Sequence, residues 1–143
     1  MKPYLLIILV CICLISCSDS DDPDHSKGDC DDTMIIDEQS YINTSGDFMT
    51  IISAEIMDDC LLINYSASGC SGDNWELSLI GSDAIAESLP EQRYIKLSLE
   101  NPEACLAIFT KETSFNISLL QIENDGVLIL NLEAYDEALR YTY

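Results

Sequence analysis

From Met34 onward the chain alternates apolar and polar residues with the period of two that a half-buried β-strand produces. Trp75-Glu76-Leu77-Ser78-Leu79 alternates most cleanly. Other stretches are apolar at consecutive positions, as expected for strands enclosed on both faces. The patterns together predict about nine strands. These are Met34–Asp37, Phe48–Ile56, Leu61–Tyr65, Trp75–Leu79, Tyr94–Leu99, Ala104–Thr110, Phe115–Leu119, Val127–Leu132 and Leu139–Tyr143.

Turn-forming residues separate these strands and limit the fold class. Ser68–Asn74 is a glycine-containing loop, and Asn124-Asp125-Gly126 is a strong hairpin signal. Helices are expected at most in two short stretches, Ser82–Leu89 and Glu133–Ala138. Short strands at this spacing predict an all-β fold, a single antiparallel β-sandwich that is loosely immunoglobulin-like. A small up-and-down barrel is the alternative.

The first residues follow a different pattern. Lys2 precedes an apolar run from Leu5 to Leu14, too short to span a bilayer comfortably, and Ser16-Cys17 follows. This segment resembles the lipobox of bacterial lipoproteins, in which the cysteine receives a diacylglyceryl group and becomes the new N-terminus. The resemblance implies a signal peptide over residues 1–16 and a membrane anchor at Cys17. An uncleaved anchor helix or a buried strand is the rival interpretation.

An acidic run over residues 18–24 comes directly after Cys17. Such a composition cannot bury enough apolar surface to order itself, so we expect a lipidated tether over residues 17–32 and the β-sandwich domain over residues 33–143. The run resembles the export signal of Bacteroidetes-type lipoproteins, which implies display on the outer face of the outer membrane. Retention on the periplasmic side is the alternative. Asp32-Thr33-Met34 resembles an O-glycosylation sequon of the same group, with Thr33 as the acceptor.

A second resemblance covers most of the exported part. Cys60-Leu61, the stretch Ser66–Trp75 and Glu103-Ala104-Cys105 are similar to segments of a group of small uncharacterised Bacteroidetes-type lipoproteins. That group offers no activity to carry over. The resemblance therefore implies one compact domain and nothing about its task.

The charge narrows the range of partners. The chain has 26 acidic and 6 basic side chains and a formal net charge of −20. Binding to a phosphate backbone needs lysine and arginine to displace its counterions, so we expect no nucleic-acid partner. The same charge disfavours anionic lipid surfaces and favours solubility. Membrane association is expected through the lipid on Cys17.

Four of the seven cysteines remain after residues 1–17: Cys30, Cys60, Cys70 and Cys105. An even number in an exported chain of this size predicts two disulfides, with three available connectivities. If consecutive strands alternate in direction, we expect Cys30–Cys60 at one end of the sandwich and Cys70–Cys105 at the other. A zinc site is disfavoured, because no C-x-x-C pair exists and His25 lies in the tether.

The loop that ends in Asp73, Asn74 and Trp75 is the candidate binding site. A loop held by a scaffold often carries function, and an aromatic side chain at its edge can stack on a sugar or grip a protein. For Trp75 itself we favour a second interpretation, in which it begins a strand and packs into the core. Asp58-Asp59 and Asp73-Asn74 offer oxygen ligands for calcium, although acidic residues in turns usually face water. We assign no metal site and no cofactor.

Catalytic residues are not predicted. The only histidine, His25, lies in the tether, which leaves no partner for a serine or cysteine nucleophile. We expect a non-enzymatic binding or interaction module of the cell envelope, with a protein or a glycan as its unidentified partner. An inhibitor or accessory subunit of an envelope complex is one alternative, and a small hydrolase is another.

Overall fold

A computed structural model describes residues 29–123 and 126–143. The predicted signal peptide, Cys17 and most of the acidic tether lie outside the described residues, and so do Asn124 and Asp125 of the expected hairpin turn. Within the described ranges, no helix is both long enough and apolar enough to cross a membrane.

The described chain forms nine strands and two short helical segments. In chain order these are β1 (Asp32–Thr33), β2 (Ile35–Ile36), α1 (Glu38–Asn43), β3 (Thr50–Met57), β4 (Cys60–Gly69), β5 (Glu76–Ala86), β6 (Glu91–Glu100), β7 (Ala107–Asn116), a 3₁₀ turn (Ser118–Leu120), β8 (Val127–Leu132) and β9 (Leu139–Thr142). One sheet has the order β1-β7-β4-β3, and the other has the order β2-β5-β6-β8-β9.

Both sheets contribute alternate side chains to one hydrophobic core, which confirms the all-β sandwich. β4 supplies Leu61, Ile63 and Tyr65, while Ile95 and Leu97 come from β6. The expectation of a purely antiparallel arrangement was wrong. β1 runs parallel to β7, β2 to β5, and β6 to β8. Alternation fixes which face of a strand is buried, but it does not specify the neighbouring strand or its direction.

The beginning of the domain explains two of the parallel pairs. β1 joins one sheet and β2 joins the other, with the fully buried Met34 between them. The Asp31 carboxylate accepts hydrogen bonds from the backbone N–H and the hydroxyl of Ser114 at 2.9 and 2.8 Å. Residues 30–32, which the sequence pattern assigns to the tether, therefore attach to the folded domain. Thr33 lies exposed on β1.

Several element predictions need correction. Ser82–Leu89 is not a helix, because β5 continues through Ala86. Glu133–Ala138 forms turns, and the α-helix lies instead at Glu38–Asn43, where Asp37 caps its start by accepting a hydrogen bond from Ser40 N–H at 2.6 Å. The expected hairpin of Phe115–Leu119 with Val127–Leu132 is also absent from the described residues. β7 and β8 lie in different sheets, joined through the 3₁₀ turn.

The disulfides join Cys30 to Cys60 and Cys70 to Cys105, with Cα–Cα distances of 5.6 and 4.8 Å. These are the pairs expected from strand direction. β4 begins at Cys60 and ends beside Cys70, so the two bridges fasten opposite ends of the sandwich. The second bridge fixes the loop that follows β4.

Candidate functional site

The candidate loop connects β4 to β5 and hence passes from one sheet to the other. Asp73 and Asn74 are exposed, whereas Trp75 is half-buried and packs against the core, with its ring centroid 6.0 Å from that of Tyr65. Trp75 thus packs against the core, which is the interpretation favoured for it. Asp73 and Asn74 remain candidates for contact with a ligand.

A carboxylate from a second loop organises the backbone of the first. Oε2 of Glu103 accepts hydrogen bonds from the backbone N–H groups of Cys70, Ser71 and Gly72 at 2.6, 3.0 and 2.9 Å. The bonds from Gly72 and Ser71 are the main reason that the pKa of Glu103 falls to about 2. Glu103 is therefore an anion near neutral pH, and its charge is used to hold the loop.

Lys111 holds the same loop from the side of β7. Its Nζ donates to the Gly72 carbonyl at 2.7 Å, lies 3.4 Å from Asp73 Oδ1, and sits 5.6 Å from the centroid of the Trp75 ring. Gly72 has φ of +74°, and a Cβ there would lie 2.7 Å from Cε of Lys111. The backbone angle favours glycine here, and a Cβ would also push the end of the Lys111 side chain away from the loop.

Asn101 connects this loop with a third one, the segment between α1 and β3. Its side-chain amide donates to the Ser68 carbonyl at 2.7 Å, and its backbone N–H donates to Asp47 Oδ2 at 2.7 Å. Its Oδ1 accepts a hydrogen bond from the Glu103 N–H at 2.9 Å. We call the end of the sandwich formed by residues 44–49, 70–76 and 100–105 the loop end. Its three segments hold one another in place.

Three shallow clefts of about 400, 470 and 580 Å³ adjoin one another across the loop end. The first and second share Asp47, and the second and third share Asn74, Glu76 and Pro102. Phe48 lies beside the first cleft with its ring almost fully exposed. An open, continuous surface of this kind suits an extended segment better than an enclosed small molecule.

The clefts are lined by carboxylates: Asp47, Asp73, Glu76, Glu100, Glu103 and Glu133. Glu76 and Glu100 are both exposed and lie directly opposite each other in the pairing of β5 with β6. Like charges at facing positions of a sheet repel and destabilise it.

The two acidic pairs that offer oxygen ligands for calcium are not brought together. Asp58 and Asp59 lie in the turn before β4, whereas Asp73 and Asn74 follow its far end. Asp59 instead accepts a hydrogen bond from the Tyr141 hydroxyl at 2.5 Å. In the part of the chain that the structure describes, no group of three or more histidine, cysteine or acidic residues is placed to hold a metal ion.

Sequence reasoning found the loop but missed the groups that hold it, above all Glu103 and Lys111. The predicted Cys70–Cys105 bridge contained a signal for Glu103, because a residue two positions before Cys105 has to lie near Cys70. The position of Lys111 beside the loop follows from the pairing of β4 with β7. The alternating pattern does not specify which strands pair.

No family model matches the chain, and no curated protein matches it. Among solved structures, a protein of unknown function (DUF1344) from Bacteroides vulgatus ATCC 8482 is similar with a TM-score of 0.54 and 15% identity, over 78% of this chain and 56% of that one. A "putative toxin related protein" from Parabacteroides distasonis ATCC 8503 has a TM-score of 0.48 and 16% identity, over 78% of this chain and 60% of that one.

The chain thus spans less than two-thirds of either solved protein. At this identity the first similarity supports the fold alone. The resemblance to an uncharacterised Bacteroidetes-type group and the lipobox at Cys17 both stay predictions.

Proposed function

We propose that this chain is a lipid-anchored binding module of the cell envelope, displayed on the outer face of the outer membrane, and that it binds without catalysing a reaction. The loop end is its binding surface, and its partner is an extended, lysine- and arginine-rich segment of a protein. The lipid expected on Cys17 supplies the membrane anchor. The acidic run after it supplies the signal for export to the outer face of the outer membrane.

The observation that carries the proposal is the facing pair of Glu76 and Glu100 on the rim of the loop-end clefts. Two exposed carboxylates at facing positions weaken the sheet, and a fold has no need of them there. A cationic side chain placed between them would turn the repulsion into attraction. Residues that cost stability are typical of sites that serve a ligand.

The wider charge distribution supports a cationic partner. Three of the basic residues in the described ranges are engaged within the molecule: Lys111 at the loop, Lys96 with the Thr44 carbonyl at 3.1 Å, and Arg93 by burial. Two ammonium groups, those of Lys96 and Lys111, lie at the loop end against the six carboxylates of its clefts, so this surface keeps a net negative charge. Such a field attracts basic segments and speeds their association.

The stiffness of the loop end also favours binding. The Cys70–Cys105 disulfide, the Glu103 carboxylate and the Lys111 ammonium each restrain the same loop. A surface that is ordered before its partner arrives loses less entropy on association. Glu103 itself, with a pKa of about 2, is unsuited to act as a general acid near neutral pH.

A photoreactive residue at Pro102 tests the location in intact cells. Pro102 is exposed and lines two of the clefts, and the matched control is Glu87, which is exposed in the turn between β5 and β6 at the other end. We expect a light-dependent adduct from position 102 that is absent from position 87. Mass spectrometry of the adduct is expected to identify a protein with a basic segment.

A charge-reversal variant is the second part of this experiment. Glu76→Lys is expected to abolish the adduct, whereas Glu55→Lys, on the exposed face of β3, is expected to leave it unchanged. Equal adducts from positions 102 and 87 would contradict the location of the site. A glycan in the adduct, or an adduct that survives Glu76→Lys, would contradict the proposed chemistry of the partner.

A further inference from the structure

Part of β7 has no strand partner on one side within the described residues. β4 pairs with β7 along its whole length, from Ala107 to Asn116. On the other side β1 pairs only with Phe115 and Asn116. Among the described residues, 107–110 therefore have no strand partner on this side and form what we call the open edge; Lys111, which follows, contacts the loop end.

The direction of the backbone groups on this edge follows from the hydrogen bonds at the C-terminal end of β7. The Ser114 N–H donates to Asp31 Oδ2 at 2.9 Å, and the Asn116 carbonyl accepts from the Met34 N–H at 3.3 Å, so both residues turn their backbone groups away from β4. The register between β4 and β7 is continuous. Because the direction alternates along a strand, the N–H and C=O groups of Ile108 and Thr110 also point to the open edge.

The open edge is apolar and uncharged in an otherwise acidic chain. Residues 104–110 read Ala-Cys-Leu-Ala-Ile-Phe-Thr. Leu106 is 90% exposed and Ile108 is 70% exposed. Proteins usually protect a sheet edge with charges, proline, a bulge or a covering segment. Charged residues begin only at Lys111, and among the described residues no strand covers residues 107–110, so this short stretch can act as a template for strand addition.

We propose that two copies of this chain pair along β7, antiparallel, about a two-fold axis beside Phe109. In this register Ile108 lies opposite the partner's Thr110 and exchanges backbone hydrogen bonds with it. Phe109 lies opposite the partner's Phe109, in the closer, non-hydrogen-bonded type of pair, where aromatic side chains contact well. The two four-stranded sheets then become one continuous sheet of the dimer.

The edge fits a second copy for two reasons. The same short stretch supplies both sides of the pairing, as a two-fold interface requires. Two molecules of net charge −20 repel each other over most of their surfaces, and this stretch lets them approach without opposing charges at the contact. Added salt is therefore expected to strengthen the association, because it screens the remaining repulsion.

Cysteine cross-linking of the full chain in membranes tests the register. Phe109→Cys places two thiols opposite each other at about 4.5 Å between Cα atoms, within reach of a disulfide. The matched control is Thr110→Cys, whose copies lie diagonally at about 7–8 Å and point to the other face of the sheet. After mild oxidation we expect a reducible dimer from Phe109→Cys and none from Thr110→Cys.

A proline variant separates pairing from folding. Thr110→Pro removes an N–H that points to the open edge, so the pairing of β7 with β4 is retained. Added to Phe109→Cys, it is expected to reduce the cross-linked fraction about tenfold, while peptide mapping still finds both native disulfides. The proposal is overturned if Phe109→Cys gives no dimer, if both cysteine positions cross-link equally, or if proline leaves the cross-link unchanged.

Discussion

Tyr141 offers a quantitative test of how the C-terminal strand contributes to stability. The residue has 0% exposure, although it lies two residues before Tyr143. Its hydroxyl donates to Asp59 Oδ1 at 2.5 Å and accepts from Gln121 Nε2 at 2.7 Å. Burial, and then the hydrogen bond to Asp59, raise the pKa of Tyr141, so the hydroxyl keeps its proton throughout the neutral range.

Tyr141→Phe retains the ring and removes this donor. A hydrogen bond to a charged group stabilises a protein by about 1.5–3 kcal/mol. Asp59 keeps a second donor, Gln121 Nε2 at 3.1 Å, so we expect the free energy of unfolding to fall by about 1–2 kcal/mol. Tyr141→Ala also removes the buried ring and is expected to cost about 3–5 kcal/mol, a large part of the stability of a small domain.

Urea denaturation, followed by the fluorescence of Trp75, measures these differences. The matched control is Tyr143→Phe, one residue beyond the end of β9. The Tyr143 hydroxyl contacts the backbone of Ile122, but the ring is 36% exposed. We expect that substitution to change stability by less than about 0.5 kcal/mol. Equal losses for the two variants, or no loss for Tyr141→Phe, would refute the argument that this strand is a structural part of the core.

Three further predictions address the loop, the anchor and the tether. The folded-state pKa of Glu103 is about 2, below the unfolded value of about 4.3. The stability that the Glu103 carboxylate contributes is therefore fully present above about pH 4.3 and is lost as the pH falls towards 2. The difference in melting temperature between the wild type and Glu103→Gln should therefore become smaller between about pH 4.3 and about pH 2. A difference that stays constant would contradict the proposed role of Glu103. Cys17 is expected to carry lipid that Cys17→Ser lacks, and an unmodified Cys17 in the mature wild type would rule this out. Replacing the four aspartates of residues 18–24 with alanine is expected to lower accessibility to protease in intact cells without changing acylation, and unchanged accessibility would oppose surface display.

The period of two was sufficient to predict the layers of the fold but not its strand neighbours. Leu61 and Ile63 on β4 are buried as their alternation indicates. The parallel pairing of β6 with β8 follows from contacts between distant segments, for which the local pattern has no signal. Alternation also failed in residues 82–86, where apolar residues in a strand with a register shift looked like a helix.

The candidate site could be predicted in part for a related reason. Cys70 and Trp75 marked the loop, because a bridge and a large aromatic restrict any connection. Glu103 could not be given a role, since an acidic residue in a turn usually faces water and only the folded chain brings its carboxylate to three backbone N–H groups. The facing of Glu76 and Glu100 depends on the register of β5 with β6, which shifts between Gly81 and Ile85 and so cannot be derived from the turn alone.

The central claim is that the loop-end carboxylates are arranged for a cationic partner and not for folding. The coupling free energy between Glu76 and Glu100, from a double-mutant cycle with glutamine at each position, tests it most directly. We predict that either single substitution raises the free energy of unfolding of the isolated protein by about 0.2–1 kcal/mol, with a repulsive coupling of similar size. Loss of stability on either substitution, or an attractive coupling, would show that the pair supports the fold and would contradict the account.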